Sequence, residues 1–266
     1  MSFHIFKHDG LVFRGRDTGQ GPALLFQHGL TANEAQVADI APAQGFRRLT
    51  LECRAHGPSQ AGPVEAFSIP QFAEDVLVFA DARGIEKFVL GGISMGAAIA
   101  LRLAVIAPKR VTALILARPA WNWQAAPDNM QVFLDIADCV EKADRAGFAK
   151  SAIAQRFAKL APDNLASFNK LFDRTDLPTT AELLRRIAAS GPDVTKAQVK
   201  AIKIPTLVLA NKVDLVHPMS QAETLATTIP KAKLLELAPK ATKPDLHLKQ
   251  FREALFDFLK LQGNQQ

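Results

Sequence analysis

Cysteine is scarce: Cys53 and Cys139 are the only two in 266 residues. Two thiols in unrelated contexts make no disulfide framework, so the fold must rest on its apolar core. Apolar residues supply 48 % of the chain, enough for one large domain or one domain with an insertion. A clustered basic stripe is also missing. Lys and Arg exceed Asp and Glu by 32 to 26, but the basic residues are scattered, which argues against a nucleic-acid partner. The opening "MSFHIFKHDG" has no basic-then-apolar leader, and no apolar run reaches the ~18 residues of a membrane span. The expectation is a soluble, cytoplasmic protein without a membrane partner. No His/Cys cluster and no dinucleotide fingerprint occur, so no metal, nucleotide or flavin cofactor is expected.

The first half alternates β-type runs with helical patterns. "HIFKH" and "LVFRGRD" form a hairpin pattern about Asp9-Gly10. "ALLFQ" and "FRRLTLEC" flank a helix expected over 34–44. Ser68-Ile69-Pro70-Gln71 has the form of a capping box with proline in the first turn, which predicts a helix to about Arg83, stopped by Gly84. "KFVLGGI" is a continuous apolar run, as in a parallel strand buried on both faces. "AAIALRLAVIA" then reads as a helix and "RVTALILA" as a strand. Such alternation predicts an α/β fold with a mostly parallel central sheet and helices on both faces.

The rhythm breaks at Arg118. From 118 to 203 all patterns are helical, one of them carrying a Thr179–Glu182 box with Gly191 as its expected C-cap. Strands return with "PTLVLA" and "KLLELA", and "FREALFDFLKL" closes the chain. The expected division is a core over 1–117, a helical lid over 118–203 and the rest of the core over 204–266.

Gly92-Ile93-Ser94-Met95-Gly96 lies between the apolar strand and a helix. A Gly-x-Ser-x-Gly turn there would force the serine into a strained conformation with its hydroxyl exposed, and the helix N-terminus would direct N–H groups towards developing negative charge. A phosphate-binding turn is disfavoured, because Gly96 is followed by Ala97-Ala98 and not by Lys-Ser/Thr.

At these residues the chain resembles the α/β-hydrolase family, with an inserted helical lid. "FQHGL" is similar to the family's oxyanion loop, "LECRAHGPS" to its Arg-x-x-Gly-x-Ser segment, "GISMG" to its nucleophile elbow and "VLANKVDLVHP" to the strand and turn bearing its acid. The resemblance implies that the amides of Leu30 and Met95 form the oxyanion hole. It also implies the chain order serine, acid, histidine, with Asp214 as the acid, following the strand "TLVLA" by a few residues.

Six histidines compete for the base. His4 and His8 fall in the hairpin, His28 in the oxyanion loop, and His56 in a segment expected beneath the elbow. His217, three residues after Asp214, is expected to cap or pack against the next helix. His247 fits the chain order and is therefore the expected base. The family's Gly-His would fall near Thr242, and no glycine adjoins His247, so its loop must be longer than usual. Positions 247, 251, 254, 255 and 258 share a helix face, which turns His247 inward with Phe251 and Phe258.

Trp121 and Trp123 open the insertion and are expected to face the substrate. Phe133, Phe157, Phe168 and Phe172 are expected mainly to hold the lid together. The expected activity is a serine hydrolase cleaving a carboxylic ester, lactone or thioester with an apolar part, using the triad Ser94, Asp214 and His247. Two alternatives stand: a ligand-binding protein on the same fold with little turnover, and a carbon–carbon hydrolase or perhydrolase. Oligomeric state is not legible.

Overall fold

The computed structural model describes residues 3–41 and 44–263. Eight strands form one sheet: β1 (Phe3–His8), β2 (Leu11–Thr18), β3 (Ala23–Gln27), β4 (Arg47–Leu51), β5 (Phe88–Ile93), β6 (Val111–Ala117), β7 (Thr206–Ala210) and β8 (Ala232–Glu236). Their order is β1-β2-β4-β3-β5-β6-β7-β8. The β1–β2 and β2–β4 pairs are antiparallel and all others parallel. The opening hairpin turns at Asp9 (φ 53°) and Gly10 (φ 70°), both left-handed, as a two-residue Asp-Gly loop requires.

Successive side chains in a strand point to opposite faces, and the central strands are apolar on both. Leu24, Phe26, Val89, Ala113, Ile115, Leu207 and Leu209 pack on one side with Val37 and Ile40 of α1 (Glu34–Ile40) and Phe251, Leu255 and Leu259 of the last helix. Leu25, Leu90, Leu114, Leu116 and Val208 face the other side, against α2 (Ile69–Ala82) and α3 (Met95–Ile106). The two-sided burial explains why these strands read as unbroken apolar runs. The first helix stops at Ile40, short of its expected end. In α2 the Ser68 hydroxyl accepts the Gln71 N–H at 3.2 Å, and Gly84 takes φ +66° just past the end.

Between β6 and β7 every regular element is helical. They are α4 (Gln131–Glu141), α5 (Arg145–Lys150), α6 (Ala152–Leu160), α7 (Pro162–Asn169), α8 (Leu177–Ala189) and α9 (Lys196–Lys200), with short 3₁₀ turns. One cap differs from expectation. Helix α8 starts two residues before Thr179, and Asp176 caps it, accepting the Thr179 N–H at 2.9 Å. Gly191 does not end it in a left-handed turn; it permits close packing, since a Cβ there would meet Ala125 Cα at 2.7 Å. Phe133, Phe157 and Phe168 form edge-to-face pairs, and Phe148 meets Phe172, so the aromatic residues tie the insertion together. After β7 come α10 (Met219–Thr228) and, beyond β8, α11 (Pro244–Gly263). No helix among the described residues is long and apolar enough to cross a membrane.

Candidate active site

Strand β5 ends at Ile93 and α3 begins at Met95, so a single residue makes the joint. Ser94 takes φ 57°, ψ −115°, a conformation costing a non-glycine residue of order 1–3 kcal/mol. Its glycine neighbours are there for space. A Cβ on Gly92 would fall 2.1 Å from Gly96 O, and one on Gly96 would fall 2.3 Å from Gln27 O. The backbone of β6 holds the turn, as the Ser94 N–H donates to Ala117 O at 3.0 Å.

The Ser94 hydroxyl meets His217 Nε2 at 2.7 Å. On the other side of the ring, Nδ1 lies 2.9 Å from both oxygens of Asp214. A carboxylate only accepts, so Nδ1 carries the proton and Nε2 is left to accept the serine O–H. Asp214 Oδ1 also accepts the backbone N–H of His217 at 3.0 Å. One carboxylate therefore holds both the ring and the main chain of the residue three positions on.

Asp214 has further partners. Arg118, immediately after β6, donates Nε–H and Nη2–H to Asp214 Oδ2 at 2.8 and 2.5 Å. Its Nη2 lies 3.6 Å from Asp163 of α7, a carboxylate without a hydrogen bond among the described residues. Asn164 Oδ1 accepts the N–H groups of Leu215 and Val216, which fixes the turn from the side of the insertion. Burial opposes ionisation of Asp214, but His217 and Arg118 outweigh it and hold the carboxyl well below the usual range. Burial lowers the His217 pKa; Asp214 raises it and Arg118 opposes Asp214, leaving it below its ordinary value. The ring is thus neutral at pH 7, the form that can take a proton.

The structure does not bring His247 into this arrangement. It sits in the first turn of α11, turned inward beside Phe251 at 6.4 Å between ring centroids, as its helix face requires. However, its Nδ1–H donates to Ala238 O at 2.8 Å, and neither Ser94 nor Asp214 is among its hydrogen-bond partners. The ring between Ser94 and Asp214 is that of His217 and not that of the expected base, His247. Nor does His217 cap α10, whose N-cap is Pro218. What hid it was the three-residue spacing from Asp214. In an irregular turn that spacing lets the ring fold back onto the carboxylate. The clue available in the sequence was the missing Gly-His after β8.

Opposite the elbow runs residues 28–31. A Cβ on Gly29 would lie 3.5 Å from Ser94 Cβ, so glycine lets this strand of chain pass close to the nucleophile. The Gly29 N–H donates to Gln36 Oε1 at 2.8 Å and the Thr31 N–H to His56 Nε2 at 2.9 Å. Between them, the Leu30 N–H is taken up by no group among the described residues, and the same holds for Met95 at the head of α3. His28 is fully buried, its Nε2 accepting the Cys53 N–H at 3.1 Å. Arg174, after the 3₁₀ turn Lys170–Asp173 of the insertion, donates to Ala55 O at 2.6 Å and Thr31 O at 3.3 Å.

A cavity, partly open to solvent, joins these parts. Ser94, His217 and Leu30 line it, with Phe133, Phe168 and Leu171 from the insertion. Neither expected tryptophan does. Trp121 is buried, its Nε1–H donating to Ser190 O at 3.0 Å, and Trp123 stacks under Lys196. Both are spent on anchoring the start of the insertion.

Residues 22–241 match the family model of the alpha/beta hydrolase fold. The chain belongs to the alpha/beta hydrolase fold family. Among curated relatives, a protein of Agrobacterium fabrum provisionally named a carbamate hydrolase is 28 % identical over 261 residues, covering 92 % of this chain and 95 % of its own. A 3-oxoadipate enol-lactonase of Acinetobacter baylyi is 28 % identical over 212 residues, covering 76 % of this chain and 75 % of its own. Among solved structures, the enol-lactonase of Burkholderia xenovorans superposes with a TM-score of 0.75 at 24 % identity, over 97 % of this chain and all of that one.

Proposed function

We propose that this hydrolase cleaves a carboxylic ester, lactone or thioester through an acyl-enzyme on Ser94, with His217 as the base. The observation that carries the reading is the continuous chain from Ser94 Oγ to His217 Nε2 at 2.7 Å and from Nδ1 to Asp214 at 2.9 Å. In the first step the Ser94 oxygen attacks the carbonyl carbon while its proton passes to His217 Nε2. Asp214 keeps the ring in the tautomer that can accept and stabilises the imidazolium so formed. The Leu30 and Met95 amides donate to the tetrahedral oxyanion, helped by the positive end of α3. His217 then returns the proton to the leaving oxygen or sulfur, the carbonyl re-forms, and the acyl group stays on Ser94. Water, deprotonated by the same imidazole, releases the acid and restores the serine.

The helical insertion supplies the apolar wall, which favours a substrate with an apolar part. The reading is tested by hydrolysis of p-nitrophenyl butyrate and by labelling with a fluorophosphonate. Wild-type protein should do both and Ser94→Ala neither. Failure of the wild type to react in either assay would overturn the assignment.

A further inference from the structure

The cavity at Ser94 is unevenly charged. Arg118 and Lys240 line it, and no Asp or Glu does. Arg118 already carries Asp214 and lies beside Asp163. Lys240, four residues past β8, has no ion pair and no hydrogen bond among the described residues. It is exposed as a residue, yet burial of its ammonium is the main influence lowering its pKa, with Arg118 and Lys170 adding to that against Asp163 and Asp214. Of the two cations on the cavity wall, Arg118 has both nearby carboxylates, Asp163 and Asp214, as its partners. On the wall of the same cavity, Asn164 spends its carbonyl on Leu215 and Val216, which leaves its NH₂ free of that turn. An uncompensated ammonium and a spare amide donor on one wall are complementary to a carboxylate.

Resting on the hydrolase reading above, we propose that Lys240, with Asn164, selects substrates bearing a second, anionic group: an ester or lactone that also carries a free carboxylate. The carboxylate seats on Lys240 while the scissile carbonyl lies at Ser94, and the site as a whole approaches neutrality only when that anion is bound. The apolar wall then receives the chain between the two ends.

The test compares kcat/KM for the mono-p-nitrophenyl ester of glutaric acid with that for p-nitrophenyl pentanoate. Wild type should favour the anionic ester, and Lys240→Met should lower the anionic-to-neutral ratio roughly tenfold, the scale of one partly solvated charge pair. Lys240→Glu should lower it further, Lys240→Arg should restore it, and added salt should shrink the wild-type preference. Glutarate itself gives a readout independent of turnover: it should raise the Tm of wild type and of Ser94→Ala, but not of Lys240→Met. Inability to cleave either ester would strike the hydrolase reading, with the glutarate shift still deciding this one. Equal ratios in wild type and Lys240→Met, or a glutarate shift that survives Lys240→Met, would overturn the carboxylate assignment.

Discussion

Two turns meet at Ser94, and they hold their histidines in opposite ways. In and behind the turn of residues 28–31, His28 and His56 are spent entirely on the backbone. His56 accepts the Thr31 N–H and donates Nδ1–H to Arg54 O at 2.8 Å, and His28 accepts the Cys53 N–H while its Nδ1 faces Gly29 O at 2.9 Å. In the acid turn, His217 gives one nitrogen to Asp214 and keeps the other for a hydroxyl. Burial lowers the pKa of all of them and of His247. What separates a scaffold histidine from a candidate base is therefore the partner of its second nitrogen, and burial alone does not distinguish them.

The sharpest way to break that contrast is to remove the rings one at a time. His217→Ala should lower kcat on p-nitrophenyl butyrate by on the order of 10⁴, as loss of a triad member does, whereas His247→Ala should cost less than about tenfold. Similar small losses for both would dissolve the distinction. The turn of residues 28–31, proposed to supply an oxyanion donor, is also held from outside, by Arg174. Its replacement in Arg174→Met should reduce kcat by roughly 10–100-fold with KM little changed, somewhat less than removal of an oxyanion donor itself, and Arg174→Lys should recover part of it. An equal loss in kcat and gain in KM would point to a collapsed cavity instead.

Protonation offers a gentler test. With His217 as the proposed base its neutral form would be the active one, and its pKa is lowered, so kcat/KM should fall only as pH drops below the ordinary histidine value of about 6.5. Replacing Arg118 by Gln removes a cation that disfavours the imidazolium, which should move this acid limb to higher pH. A limb that stays in place would show that Arg118 does not act on the base.

Stability should follow a related rule. His28 and His56 have folded pKa values below the unfolded one, so between the two the unfolded chain binds more protons and stability rises with pH. Urea midpoints should therefore fall as pH drops through about 6.5, and replacing His56 by Gln should flatten that dependence. The smallest effect expected is at Asp176, where Asp176→Ala removes the cap of α8 and should cost about 1 kcal/mol in urea unfolding, without changing the relative rates of the two histidine variants.

The core was legible because its strands are buried on both faces: continuous apolar runs such as 88–93 and 111–117 have few other uses, and Ser68, Gly84 and Asp9-Gly10 punctuate them by local chemistry. The elbow was legible for the same reason, since Gly92 and Gly96 are demanded by contacts within one turn and with the neighbouring strand. Trp121 and Trp123 misled because a large amphipathic ring suits a substrate cleft and a buried anchor equally. Their side of the interface depends on where Ser190 and Lys196 arrive. Asp214 is expected from its place after a strand, and the ring that contacts it belongs to the residue three positions on and not to one far along the chain.

The sequence by itself determined the sheet, the strained serine and the helical character of the insertion, because periodicity, glycine spacing and turn chemistry act over a few residues. Only the tertiary structure decided which imidazole meets Ser94, and that Lys240 lines the cavity without an ion-pair partner among the described residues, because side-chain direction in an irregular turn is set by contacts from distant segments. Arg118, just after β6, and Asn164, in α7, converge on residues 214–217, and no local pattern encodes that convergence.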